Sequence, residues 1–164
     1  MDTTYRKLSS HDREALWRIN EEGVPGVGKV TQEALAELVG LCELALGAFQ
    51  DGALVGFVLC LVPGTRYGSP NYAWFSERYA SFLYVDRIAV SEARRDSGVG
   101  SALYRQVFDY AEERGWPVTA EVNIRPANPG SMRFHDRHSF SRVGVLEHGS
   151  KAVAMLVRPP GKSA

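Results

Sequence analysis

At 164 residues, 45% apolar and 23% charged, the chain has the make-up of one folded domain, long enough to bury about 70% of the surface its unfolded form exposes. Nineteen Lys and Arg balance nineteen Asp and Glu, so the net positive field of a nucleic-acid binder or of a protein held to an anionic membrane is missing. No stretch reaches the ~18 apolar residues of a membrane span. Met1 to Thr4 begins no signal-peptide run, and the only cysteines, Cys42 and Cys60, lie in apolar surroundings as reduced core residues; a soluble, cytoplasmic protein is expected.

In chain order, Thr4 to Leu8 reads as a short strand. His11 to Glu22 has Ala15, Leu16 and Ile19 at helical spacing behind Ser9 or Ser10 as a cap, and Thr31 to Leu44 repeats the pattern with Leu35, Leu38, Val39 and Cys42. Strands over 45–50 and 54–62 flank Asp51-Gly52, a strong hairpin turn. The connection 63–81 is long for a structureless loop and carries Tyr67, Tyr72, Trp74, Phe75 and Tyr79, which marks it as functional. Phe82 to Val90 is an apolar strand interrupted by Asp86-Arg87. Gly98 to Arg114 is a helix ended by Gly115, and Pro117 to Ile124 is a strand. Asn128 to His138 reads as helix, and 140–146 and 151–157 as a closing antiparallel pair. Residues 1–158 form one domain, and 159–164 a frayed tail. Antiparallel runs followed by a strand–helix–strand unit give an α/β (α+β type) fold: a single mixed, mostly antiparallel sheet with helices on both faces.

Chemistry concentrates at the junction of strand 82–90 and helix 98–114. There Arg95-Asp96-Ser97-Gly98-Val99-Gly100 reads R-x-x-G-x-G. Its glycines let backbone N–H groups close on phosphate oxygens, the helix N-terminus adds positive potential, and Arg94 and Arg95 supply charged donors. A diphosphate-bearing ligand fits such a junction. Two similar patterns fail. Gly23 to Thr31 imitates a P-loop, but Val30 stands where the Mg-binding hydroxyl must follow the lysine, so a flexible helix–helix connection is the better interpretation. Gly98-Val99-Gly100 lacks the third glycine of a dinucleotide fingerprint. His135 and His138, three apart with no cysteine near, do not make a metal site.

With the Asn128-Pro129-Gly130-Ser131 helix start downstream of R-x-x-G-x-G, residues 4–157 resemble the GNAT superfamily of N-acetyltransferases. The resemblance implies acetyl-CoA as cofactor, with the sheet's middle strands splayed to admit it. It assigns Ile88, Ala89 and Val90 to the pantetheine arm, through backbone groups at a bulge. Arg94, Arg95, Asp96, Ser97, Gly98, Val99, Gly100 and Ser101 fall to the pyrophosphate, with Asn128 and Ser131 nearby. It also implies acetyl transfer to a primary amine of a small molecule or peptide, by direct attack in a ternary complex.

The chain departs from that family at one informative position. Where the family carries a tyrosine that protonates the departing thiolate, this sequence has His135, either an acid or a helix residue packed on the sheet. The missing tyrosine keeps a second function open, a non-catalytic acyl-CoA-binding sensor. Alternation on strand 117–124 puts Thr119, Glu121 and Asn123 on one face, and a polar stripe on an interior strand fits a wet cavity. Glu121 is the favoured general base and Asp86 the second choice; alternatively Asp86 and Arg87 merely pair with neighbours and Glu121 faces solvent. Tyr72, Trp74, Phe75 and Tyr79 either wall the acceptor pocket, with Asn71 and Glu77 for polar recognition, or plug the sheet as core. Tyr84 and Asn123 join the acceptor-binding candidates. Tyr104 and Phe108 lie off their helix's main apolar stripe and are candidates for a homodimer contact.

Overall fold

The computed structural model describes residues 2–161. Seven strands form one sheet in the order β1-β2-β3-β4-β5-β7-β6. They are β1 (Thr3–Lys7), β2 (Leu44–Gln50), β3 (Ala53–Leu61), β4 (Leu83–Val90), β5 (Val118–Arg125), β6 (Ser141–His148) and β7 (Lys151–Arg158). Every neighbouring pair is antiparallel except β4 and β5. The expected mixed, mostly antiparallel sheet is therefore present.

Helices cover both faces. On one lie α1 (Arg13–Gly23), α2 (Gln32–Leu41) and α3 (Pro70–Arg78), whose Leu16, Ile19, Leu35, Leu38, Tyr72 and Phe75 pack with Phe57, Leu59 and Tyr84. On the other lie α4 (Val99–Arg114) and α5 (Pro129–Arg137); Val99, Leu103, Tyr104, Val107 and Ala111 pack on Val58, Cys60, Val85 and Ala120. Local chemistry sets the boundaries. Thr31 caps α2 by accepting from the Ala34 amide at 3.0 Å, and Asp51 and Gly52 take φ of 50° and 78° in the hairpin. α2 stops at Leu41, short of the expected Leu44, because Leu44 enters the ladder opposite Cys60.

Two expectations change. The 63–81 connection contains α3, announced by Ser69 as cap and Pro70 in the first turn, a signal present in the sequence. Tyr104 and Phe108 are not a dimer surface: both are buried, in an aromatic cluster with Phe134, His135, His138 and Phe140. Of the tail, Pro159 to Gly161 carry no regular element, and 162–164 lie outside the described residues. Among the described residues no helix is long and apolar enough to cross a membrane, and both cysteines are free.

Candidate active site

The sheet opens at its one parallel seam. β4 and β5 are joined only at Leu83–Val118 and Tyr84–Thr119, and beyond those pairs the strands part. A β-bulge sharpens the departure. β3 pairs Leu59 with Arg87 and Cys60 with Val85, leaving Asp86 as the extra residue. The bulge thus falls two residues before Ile88, ahead of the 88–90 stretch expected to carry it. It also turns Asp86 and Arg87 to the same face of the sheet, toward α1 and α3, where Asp86 meets Tyr67 and Arg87 meets Asn20.

The resulting cleft holds about 590 Å³. Its β4 lip has an exposed row of main-chain groups. Ser91 donates to the Val55 carbonyl at 2.8 Å, and in an antiparallel ladder this parity directs the Ala89 amide to β3 as well. The amides of Ile88 and Val90 therefore point away from β3, into the gap that β5 has vacated.

A second hollow of about 470 Å³ shares Val90 and Arg95 with the first and is lined by Arg94, Asp96, Gly98, Val99, Gly100 and Ser101. Asp96 and Gly98 take φ of 63° and 86°, so the loop bends back on itself before α4 begins. A Cβ at Gly98 would meet nothing, so the glycine answers to conformation rather than crowding. Arg95 stands at the junction of the two hollows, donating to the carbonyls of Val90 (3.3 Å) and Glu22 (2.8 Å). Arg94 is bound to Gln50 at 2.9 Å and braces the loop. Phe134 and Arg137 of α5 complete the hollow; no spacing in the sequence marked them. A helix N-terminus with its free amides and three guanidinium groups make this concavity a fit for a diphosphate, and the row along β4 suits an extended amide-bearing arm.

Polar side chains gather on the α1/α3 side of the cleft. Glu121 Oε1 accepts from the Tyr84 hydroxyl at 2.9 Å and from Asn71 Nδ2 at 3.0 Å. Its Oε2 is buried with no partner among the described residues. Burial, and next the charge of Asp86, push the Glu121 carboxyl up to about 8. Asp86 is instead fully engaged, accepting from Tyr67 (2.8 Å) and from Arg87 Nε (3.0 Å). Asp86 and Arg87 do pair with neighbours, with each other, Tyr67, Asn20 and the Gly28 carbonyl, as the alternative had it. Glu121 does not face solvent.

His135 is buried. Its Nδ1 lies 2.8 Å from the Ser131 carbonyl, an arrangement that needs a proton on Nδ1, so Nε2 accepts from the Tyr104 hydroxyl at 2.8 Å. Burial lowers its affinity for a second proton. Both nitrogens of a neutral ring are committed, which makes His135 a brace for Tyr104 rather than a free acid. The same commitments leave no lone pair for a metal.

Of the other expected residues, Asn71, Asn123, Asn128 and Ser131 line the cleft. Tyr72, Trp74, Phe75 and Tyr79 do not. Tyr72 and Phe75 are core, with the Tyr72 hydroxyl donating to the Val62 carbonyl at 2.6 Å, and Glu77 is exposed. Trp74 lies over Gly144 of β6, where a Cβ would come within 2.5 Å of its ring. Tyr84 is core except for the hydroxyl that holds Glu121. The missed wall is the end of α1 and the α1–α2 connection: Gly23, Pro25, Gly26, Val27 and Gly28, dismissed above as a bland linker, line the cleft with Tyr67 and Ser69.

Residues 11–140 match the model of the acetyltransferase (GNAT) family. No curated protein matches the chain by sequence. Among solved structures, Ard1 from Thermoplasma volcanium is similar at 22% identity with a TM-score of 0.78, covering 99% of this chain and 100% of that one. The ribosomal-protein-S18-alanine N-acetyltransferase of Escherichia coli is 17% identical, with a TM-score of 0.74 and 99% of each chain covered. Arabidopsis thaliana NAA60 in complex with acetyl-CoA is 20% identical, with a TM-score of 0.72, covering 95% of this chain and 97% of that one.

Proposed function

Because the chain belongs to the acetyltransferase (GNAT) family and is thereby an acetyl-CoA-dependent N-acetyltransferase, we propose that it acetylates a primary amine by direct attack in a ternary complex with Glu121 as general base. The observation that carries this assignment is the buried, unpartnered Oε2 of Glu121, on the lip of the cleft that the glycine loop feeds. When bound, acetyl-CoA supplies an activated acyl carbon.

The rest is done by this chain's own groups. Oε1 of Glu121 is held by Tyr84 and Asn71, which leaves Oε2 to take the proton of an incoming ammonium. An ammonium beside the carboxyl favours its charged form, so the site ionises as the acceptor arrives. The cleft-facing amide of Ile88 is the donor for developing negative charge on the carbonyl oxygen. Arg95 and the amides of residues 96–100 hold the diphosphate. A thiol with a pKa near ~8.5 leaves as thiolate near neutrality, so no strong acid is required and His135 acts by positioning Tyr104. Two free cysteines support a cytoplasmic setting. The acceptor is a small molecule or a peptide N-terminus.

The test is amine-dependent thiol release from acetyl-CoA combined with thermal shift. Acetyl-CoA at 100 times its Kd should stabilise the fold by ~2.7 kcal/mol. Stabilisation with no amine-dependent release from any acceptor would identify a sensor instead, and absence of both would remove the cofactor site.

A further inference from the structure

Arg87 is an unusual lining residue for such a cleft. Its side chain is 9% exposed, yet only three of its five N–H donors are used. Nε donates to Asp86 Oδ2 at 3.0 Å, and Nη1 donates to Asn20 Oδ1 at 3.0 Å and to the Gly28 carbonyl at 3.1 Å. Those bonds fix the guanidinium plane from three sides. Nη2 has no acceptor among the described residues, and it is not among the atoms sealed from solvent. Its neighbour in the cleft wall is Gly28, where even a built Cβ would stand 3.8 Å away. A nearly buried cation that lines the cleft thus keeps donor capacity to spare at Nη2, and leaving such a donor unmatched is costly.

Glu121 sits across the gap on the same face of the sheet. Both residues lie just past the last β4–β5 pairs: Arg87 three positions beyond Tyr84, one of them the bulge, and Glu121 two beyond Thr119. The bulge brings Arg87 level with Glu121, so the two lips present opposite chemistry at one height, a proton acceptor on β5 and an anion-binding fork on β4. Asp86 neutralises the formal charge of Arg87 without occupying Nη2. A simple alkylamine would satisfy only Glu121. A molecule with a carboxylate a few bonds from its amine satisfies both.

We infer that the acceptor is a free amino acid, whose carboxylate docks on Nη2 of Arg87 while its ammonium meets Oε2 of Glu121. This rests on the acetyltransferase assignment above and narrows its acceptor to one class. A peptide N-terminus, with a neutral amide in place of the carboxylate, fits the fork less well.

The experiment uses the full-length protein, acetyl-CoA and three matched sets: proteinogenic α-amino acids with glycine, β-alanine and γ-aminobutyrate as a spacing series, the corresponding carboxamides, and n-alkylamines. Thiol release gives kcat/KM for each. The best acid should exceed its own carboxamide by at least roughly 30-fold, the low end for losing one partner of a buried charged hydrogen bond. Arg87→Gln should erase that preference, and Arg87→Lys should restore part of it, with the KM for acetyl-CoA unchanged in both. Carboxamides or alkylamines reacting as well as acids in the wild-type protein overturn the inference, and that comparison needs no variant to fold. An acid preference that survives Arg87→Gln also overturns it. So does a failure of every acid to react while acetyl-CoA still raises Tm, whereas failure of acetyl-CoA to raise Tm overturns the cofactor site beneath it.

Discussion

Replacing Glu121 with glutamine tests the base through two measurements that must agree. Moving a carboxyl from its ordinary 4.5 to about 8 means that the native state holds a proton that the unfolded chain has already released. The sign follows: the unfolded state gains from ionisation as pH climbs past 4.5, the native state does not until about 8, and so stability falls with pH across that window. Between pH 5 and pH 9 this amounts to about 4 kcal/mol, or roughly 10 °C in Tm for a domain of this size. Glu121→Gln should keep the bonds from Tyr84 and Asn71 on its amide oxygen and remove that slope, so that ligand-free Tm becomes flatter with pH and the variant is the more stable protein at pH 9. In the thiol-release assay the same change should lower kcat/KM by ~10²–10⁴-fold and abolish the rise in activity through about pH 8. Acetyl-CoA affinity should stay within about twofold, since Oε1 and Oε2 face the acceptor side and not the glycine loop. Parallel Tm profiles for the two proteins would show that Glu121 does not carry the displaced proton. Undiminished turnover in the variant would remove it as the base.

Asp86→Asn should move the activity limb to lower pH, because the Asp86 charge helps to hold the Glu121 carboxyl up; a limb that stays put refutes that coupling. His135→Ala should cost about 2–4 kcal/mol in urea unfolding, from a buried cavity and an unpaired Tyr104 hydroxyl, yet lower kcat less than about tenfold. A drop of a thousandfold with native stability would instead restore His135 as an acid. Gly98→Ala should lose about 1–2 kcal/mol from its left-handed backbone and raise the KM for acetyl-CoA by about tenfold or more, measured by thermal unfolding and initial rates. Gly144→Ala, pressing on Trp74, should destabilise by about 1–3 kcal/mol and leave the KM for acetyl-CoA alone.

The sequence spoke most clearly where one physical rule acted alone. The Asp51-Gly52 turn, the glycine loop before α4 and the alternation that set Glu121 apart from Val118, Ala120 and Val122 were each legible, because a backbone preference or a period of two leaves a local imprint. The bulge at Asp86 left none: it follows from how β3 and β4 register, and only a partner strand reveals it. The aromatic insert was ambiguous for a different reason. Tyr72 and Phe75 are equally good as pocket wall or core plug, and the sheet's uncovered end chose the plug. The α1–α2 connection was misjudged because a failed nucleotide motif was taken to mean no role, whereas it lines the cleft and its Gly28 carbonyl accepts from Arg87. Tyr104 looked superfluous on a helical wheel until α5 came to rest on it.

The two-pair seam between β4 and β5 has a mechanical corollary. Strands β1–β4 and the β5–β7–β6 unit are two slabs stitched at one end and held otherwise by packing of α4 on one face and of α3 on the other. A molecule seated in the gap and bonded to both lips acts as a rivet, so its stabilising effect should spread through the β5–β7–β6 slab and not stop at the atoms it touches. Slowed amide exchange along β7 and β6, strands that do not form the β4 lip, would be the signature of that rivet in place.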